Sequence, residues 1–203
     1  MSVILEAKDV SKTFRRGREV THALTSFSLT AEAGEILCLL GPDGSGKTTF
    51  LRLLTGLLQP DSGTIRVLGY DTVADAEKVQ SSIGYMPQKF GLYEDLTVME
   101  NMRLCAEMRA VPAEIRSERF HTLLEMTDLT KFTERLAGRL SGGMKQKLAL
   151  ACTLVSDPKL ILLDEPTVGV DPLSRRELWQ LLKHFSVERK ITILVSTAYM
   201  DEA

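Results

Sequence analysis

The chain has 203 residues, 44% of them hydrophobic and 26% charged, the composition of one soluble globular domain with a substantial core. Its formal net charge of -2 excludes a broad cationic surface, so no nucleic-acid partner held through counterion release is expected. No stretch is long and apolar enough to span a membrane, and the first residues lack the basic-then-apolar pattern of a signal peptide. Any membrane role is therefore expected to require a partner.

Residues 3–10 are predicted as a first strand. Thr13 and Phe14 follow, then Arg15-Arg16-Gly17-Arg18-Glu19, expected as a solvated loop or hairpin before a second strand near residues 21–29. The apolar run 35–40 leads into Gly41-Pro42-Asp43-Gly44-Ser45-Gly46-Lys47-Thr48-Thr49, which fits G-x-x-x-x-G-K-[ST]. A periodic apolar run, residues 50–58, leads out, with the helix expected to end near Gly56. Glycines let backbone N–H groups turn inward around phosphate oxygens, and a helix opening near Gly46 adds its positive end. Lys47 is placed to reach the β and γ phosphates, and Thr48 to offer a hydroxyl to Mg²⁺. A nucleoside triphosphate is thus the implied ligand.

Gln59-Pro60-Asp61-Ser62-Gly63 is turn sequence, and residues 64–68 alternate as a short strand. Residues 83–86 make another strand, stopped by Pro87. Gln88 comes next. It is either a polar residue after a turn or a contact to ion, water and γ-phosphate; its order in the chain favours the second. Thr97 and Glu100 have capping-box spacing before a helix to about Arg109, and Pro112 sits in the first turn of another running to Leu124. Ser141-Gly142-Gly143 starts a long helix to about Val155. Residues 89–155 therefore read as a helical lobe inserted into the core.

The continuous apolar run 160–163 predicts a buried parallel strand that delivers Asp164 and Glu165 to the phosphate side of the sheet. There Asp164 can complete the Mg²⁺ shell with Thr48, and Glu165 can polarise the attacking water or take its proton. Asp171-Pro172 opens a helix with Leu178, Leu181, Leu182 and Phe185 on one face, where Trp179 is expected to pack. Residues 191–195 form the last strand. Cys38, Cys105 and Cys152 are scattered in apolar surroundings and are expected as buried reduced thiols in a reducing compartment.

Ser141, Gly142 and Gly143 expose N–H groups at the positive end of a helix, a second anion-binding device. One nucleotide does not need two such devices from one subunit. A head-to-tail pair uses both.

Residues 41–49, Gln88, 140–146 and 160–165 together resemble the ATP-binding domain of ABC transporters. The resemblance spans almost the whole chain. It implies an α/β fold of the P-loop NTPase type, with a RecA-like core, an antiparallel β region and the inserted helical lobe. The implied reaction is ATP plus water to ADP plus phosphate, with Mg²⁺ as cofactor. Lys47, Thr48 and Asp164 become phosphate and Mg²⁺ residues, and Glu165 acts on water. Gln88 becomes a catalytic and metal contact that senses ATP for a membrane subunit. Ser141, Gly142 and Gly143 contact ATP held by a second ATP-binding domain, in the same polypeptide or a separate subunit. Phe14 matches an aromatic that stacks on adenine. Val168-Gly169-Val170-Asp171 resembles the loop that communicates across the dimer, with valine for the usual leucine.

Residues 84–93 and 96–98 are similar to ABC-2 type exporters, drug exporters among them. That implies permease partners and a peripheral place on the cytoplasmic face of a bacterial inner membrane. Two departures stand out. Thr197-Ala198-Tyr199 carries alanine where the family has histidine, so slow hydrolysis is expected at this site. Family domains also continue further, so residues 1–203 read as one domain that is incomplete at its carboxyl end. The competing readings are a regulatory nucleotide-binding half with weak hydrolysis and a soluble ABC ATPase that moves no solute.

Overall fold

A computed structural model describes residues 2–89 and 91–199. Two four-stranded sheets organise them. The first is antiparallel. Strands β1 (Val3–Arg16) and β2 (Glu19–Glu32) form a long hairpin, and β1 also pairs with β4 (Ser62–Val67), which carries β5 (Tyr70–Asp71) on its far side. The second is parallel, in the order β3 (Ile36–Leu40), β8 (Thr192–Thr197), β7 (Leu160–Asp164), β6 (Ile83–Met86).

The parallel sheet is covered on both faces, and β7 shows how. Every one of its five residues is buried. Ile161 and Leu163 join the core shared with the helical side of the molecule, whereas Leu160 and Leu162 join the core shared with the antiparallel sheet. A continuous apolar run is what a two-sided burial demands, since successive side chains point to opposite faces. Helix α1 (Lys47–Leu54) fills the space between the sheets, with Phe50 stacked edge-on against Phe27 of β2 at 4.8 Å. On the other face lie α3 (Val98–Met108), α4 (Ala113–Met126), α5 (Gly142–Leu154) and α6 (Pro172–Arg189).

The capping box is present: Thr97 Oγ1 accepts from Glu100 N–H at 3.1 Å and Glu100 returns a carboxylate to Thr97 N–H at 2.8 Å. Leu178, Leu182 and Phe185 are buried along α6 as the spacing predicts, with Leu181 and Trp179 packed partly against the same core.

The polar segment 15–19, expected as a loop or hairpin, is the hairpin: Arg15 and Arg16 extend β1, pairing with Val20 and Glu19, and the turn is Gly17 and Arg18. Side chains on that tip are exposed, as expected of a solvated cluster. Two other points differ from expectation. Nothing was expected over residues 70–82, where β5 and helix α2 (Ala76–Ser82) lie. A seven-residue helix that buries only Val79 has no amphipathic stripe to read. Of the three cysteines, only Cys152 is buried; Cys38 and Cys105 are half-buried. Among the described residues no helix is long and apolar enough to cross a membrane.

Candidate nucleotide site

The loop between β3 and α1 lies at the carboxyl end of the parallel sheet, where an open α/β sheet places its ligands. Gly41 N–H donates to Thr197 O at 3.2 Å, anchoring the loop to β8. Gly46 caps α1 with φ of 94°. A Cβ there would stand 2.2 Å from the Ala23 carbonyl oxygen, so the hairpin rests directly on this glycine. Pro42, Asp43, Gly44 and Ser45 are exposed, and Gly44 also has positive φ, at 81°.

Lys47 and Thr48 follow at the start of α1. Lys47 Nζ donates to Gly41 O at 2.7 Å and Pro42 O at 3.1 Å, and it pairs with Glu165 Oε1 at 3.1 Å. Both side chains of that pair are buried, at 7% and 9% exposure. Such burial is tolerable because each charge has its counterpart and further hydrogen bonds. Gln88 Nε2 donates to the other carboxylate oxygen, Glu165 Oε2, at 2.8 Å. One carboxylate thus joins the loop lysine to Gln88, two residues past β6.

Asp164 is the last residue of β7. Thr48 Oγ1 donates to Asp164 Oδ1 at 3.0 Å, and Ser196 Oγ donates to the same oxygen at 2.8 Å. Ser196 then accepts Glu165 N–H on its hydroxyl at 3.0 Å and on its carbonyl at 3.1 Å. Glu165 has φ of 50°, a left-handed conformation rare for a residue with a side chain. The two bonds from Ser196 hold that turn, which swings the carboxylate off the strand toward Lys47 and Gln88. Tyr85 on β6 stands near Asp164 and Arg52; burial, then the Asp164 charge, pushes its phenol above the ordinary value.

Thr48, Asp164, Lys47, Glu165 and Gln88 are therefore brought into one cluster. A hydroxyl and a carboxylate, both hard oxygen donors, fit Mg²⁺, which takes one or two carboxylates and completes its shell with water and phosphate. Ser196 and Tyr85 belong to the cluster and were not singled out from sequence. Their signal was positional: Ser196 ends the apolar run of β8 and stands opposite Asp164 in the ladder.

The other expected residues stand elsewhere. Ser141 caps α5, its Oγ accepting Met144 N–H at 3.3 Å. Ser141 and Gly142 are exposed, while a Cβ on Gly143 would meet Ser174 Oγ of α6 at 2.5 Å. Phe14 lies on β1 opposite Thr21, 41% exposed, with Lys12 Nζ 5.8 Å from its ring centre. Ala198 occupies an exposed bend after β8. Beside it, Thr197 Oγ1 accepts Tyr199 N–H at 3.0 Å, and the Arg175 guanidinium covers the Tyr199 ring at 4.6 Å. The Thr197 hydroxyl is thus engaged in the turn itself.

Comparison with known proteins gives this geometry its context. The sequence profile described as ABC transporter matches residues 24–168. The chain belongs to the ABC transporter family. The cassette is 58% identical over 181 residues to the probable multidrug ABC transporter ATP-binding protein YbhF of Escherichia coli (strain K12), covering 89% of this chain and 31% of that protein. It is 40% identical over 180 residues to the Nod factor export ATP-binding protein I of Burkholderia lata, covering 89% of this chain and 59% of that protein. The chain thus spans about a third to three fifths of the length of these relatives. Among solved structures, the dimeric post-hydrolysis state of the ATP-binding cassette MJ0796 bound to ADP and Pi superposes with a TM-score of 0.87. It is 32% identical, over 98% of this chain and 90% of that one. The P-loop NTPase fold expected from the sequence is the fold of this cassette.

Proposed function

We propose that this cassette binds MgATP at the carboxyl end of its parallel sheet and hydrolyses it to ADP and phosphate. It does so in a head-to-tail pair that powers solute export through separate membrane subunits. One observation carries the reading: the loop residues Lys47 and Thr48 converge on Asp164, Glu165 and Gln88 within a single hydrogen-bonded cluster.

In this reading Lys47 and the N–H groups of residues 41–49 bind the phosphates, and Phe14 stacks on the adenine. Thr48, Asp164 and Gln88 hold Mg²⁺, which when bound neutralises phosphate charge. Glu165, steadied through Gln88 and the Ser196 bonds to its backbone, orients water and receives its proton. Ser141, Gly142 and Gly143 offer N–H groups at the opening of α5 to ATP held by a second cassette. The MJ0796 cassette, solved as a dimer, supports that arrangement.

The likeness of residues 84–93 and 96–98 to ABC-2 type exporters supports an ABC-2 type permease as membrane partner, with the cassette peripheral on the cytoplasmic face of a bacterial inner membrane. The likeness to YbhF and to a Nod factor export protein supports an exporter. A tandem second cassette in the same polypeptide accords with the short share of YbhF that is covered. We also read residues 89–155 as a helical lobe within one domain.

Ala198 favours a refinement: this site binds ATP well and hydrolyses it slowly, because a methyl group cannot hydrogen-bond the γ-phosphate. The test is ATP turnover by the full-length protein with any second site inactivated, together with Glu165→Gln. Turnover that depends on Mg²⁺ and falls with Glu165→Gln is expected. Turnover indifferent to that substitution refutes the assignment.

A further inference from the structure

Past Ser11 the β1–β2 hairpin leaves the antiparallel sheet. Ser11 pairs with Ser62 of β4, whereas residues 12–16 pair with β2 alone. A two-stranded ribbon holds its shape poorly by itself, and β1 is also irregular in register between Val10, Lys12 and Thr13. Phe14 stands on this ribbon, so its ring is placed only as well as the ribbon is anchored.

The β2 side rests on the phosphate loop, where the Ala23 carbonyl lies against Gly46. The β1 side is held by Asp61, in the turn just before β4. Asp61 N–H donates to Ser11 O at 2.9 Å. Its carboxylate accepts Thr13 N–H on Oδ2 at 2.6 Å and Lys12 Nζ on Oδ1 at 2.8 Å. Gly63 seats the same turn against the strand, since a Cβ there would collide with the carbonyl oxygens of Lys8 and Asp9. Lys12 passes the hold to the ring. Its ammonium lies 5.8 Å from the Phe14 ring centre, and its side chain is 16% exposed. A cation is attracted to an aromatic face, so a lysine pinned by Asp61 backs the ring while Phe14 keeps an open side.

We infer that Asp61 and Lys12 are positioning residues for the nucleobase. Asp61 fixes the ribbon and the Lys12 ammonium, and Lys12 fixes the ring on which the base stacks. The inference rests on the reading of Phe14 as the adenine contact. Stacking depends on how two ring planes meet, and a ring that swings must be ordered again at each binding event. Asp61 and Lys12 act at the base end of the nucleotide, so a ligand with the same phosphates and no base is blind to them.

The test compares MgATP with magnesium tripolyphosphate, which carries the phosphates alone. Affinities are measured by calorimetry on the full-length protein with any second nucleotide site disabled. Asp61→Ala should weaken MgATP by about fivefold and leave tripolyphosphate unchanged. Asp61→Asn keeps an acceptor for Thr13 N–H without the ion pair, and Lys12→Met keeps the stem without the charge; each should cost about threefold, for MgATP alone. Phe14→Ala should cost about tenfold, again for MgATP alone, and adding Asp61→Ala to it should cost nothing more. Unchanged MgATP affinity in Asp61→Ala, an equal loss for tripolyphosphate, or a full further loss in the Phe14→Ala background would each overturn the proposal and leave the adenine reading standing. Phe14→Ala without a loss specific to MgATP overturns both. Where Asp61→Ala does not fold, Lys12→Met decides by the same comparison.

Discussion

The phosphate loop and the start of α5 both present glycines and backbone N–H groups at a helix opening, yet they are finished differently. At the loop, Lys47 already has three oxygen partners, and Asp164 and Glu165 stand within the same network. At α5, Ser141 satisfies one N–H with its own hydroxyl, and Ser141 and Gly142 face outward. One region is supplied with its charges by the same chain. The other offers donors at a surface, where an anion brought by a second molecule can use them. Catalysis and assembly are therefore separable, and substitutions should divide them.

The largest effect should come from Glu165→Gln, which keeps the hydrogen bond to Gln88 feasible but removes the base. Single-turnover hydrolysis is expected to fall by about 10²- to 10⁴-fold, read by rapid-quench measurement of phosphate release. A fall of less than twofold would move the base elsewhere. Lys47→Ala should weaken ATP binding by about 100-fold through loss of a charged donor, measured by calorimetry. It should leave the α5 region untouched.

Gly142→Asp tests the other region. The new Cβ would come no nearer than 3.7 Å to Gly169 O, and an acid in the first turn suits the helix. The carboxylate should nevertheless repel a nucleotide presented by a partner. In a Glu165→Gln background, sedimentation with MgATP should show association lost, at least about tenfold weaker, while ATP affinity per chain is unchanged. If association persists, α5 is not the dimer contact.

Smaller effects refine the loop side. Ser196→Ala removes the hydroxyl shared by Asp164 and the Glu165 N–H; kcat should drop about tenfold with KM nearly unchanged. Ala198→His should raise the single-turnover rate by about tenfold, with little change in binding. No gain there would mean that the bend after β8 does not limit the chemistry.

The sequence made the parallel sheet and its motifs plain because each rests on a local, strong signal. The apolar run of β7 can only be buried on both faces, and the glycines before Lys47 occur with the strand and helix they serve. Ser196 was hidden because its importance is a matter of register: it matters only because β8 lies beside β7, and nothing near it in the chain says so. Tyr85 was hidden for the same reason, as its neighbours Arg52 and Asp164 come from α1 and β7. Helix α2 escaped because it buries almost nothing, so tertiary placement decided it.

The buried Lys47–Glu165 pair carries a consequence for timing. An arriving triphosphate meets a lysine already held by two carbonyl oxygens and a carboxylate. Entry is then a replacement reaction: encounter comes first, and the ammonium changes partners second. The observed association rate should level off at high ATP rather than climb in proportion, the mark of an internal step that follows collision. The partner exchange also returns the Glu165 carboxylate to use at the moment the phosphates claim Lys47. A single side-chain movement would then both admit the nucleotide and release the base, so that the acid is engaged elsewhere until there is something for it to act on.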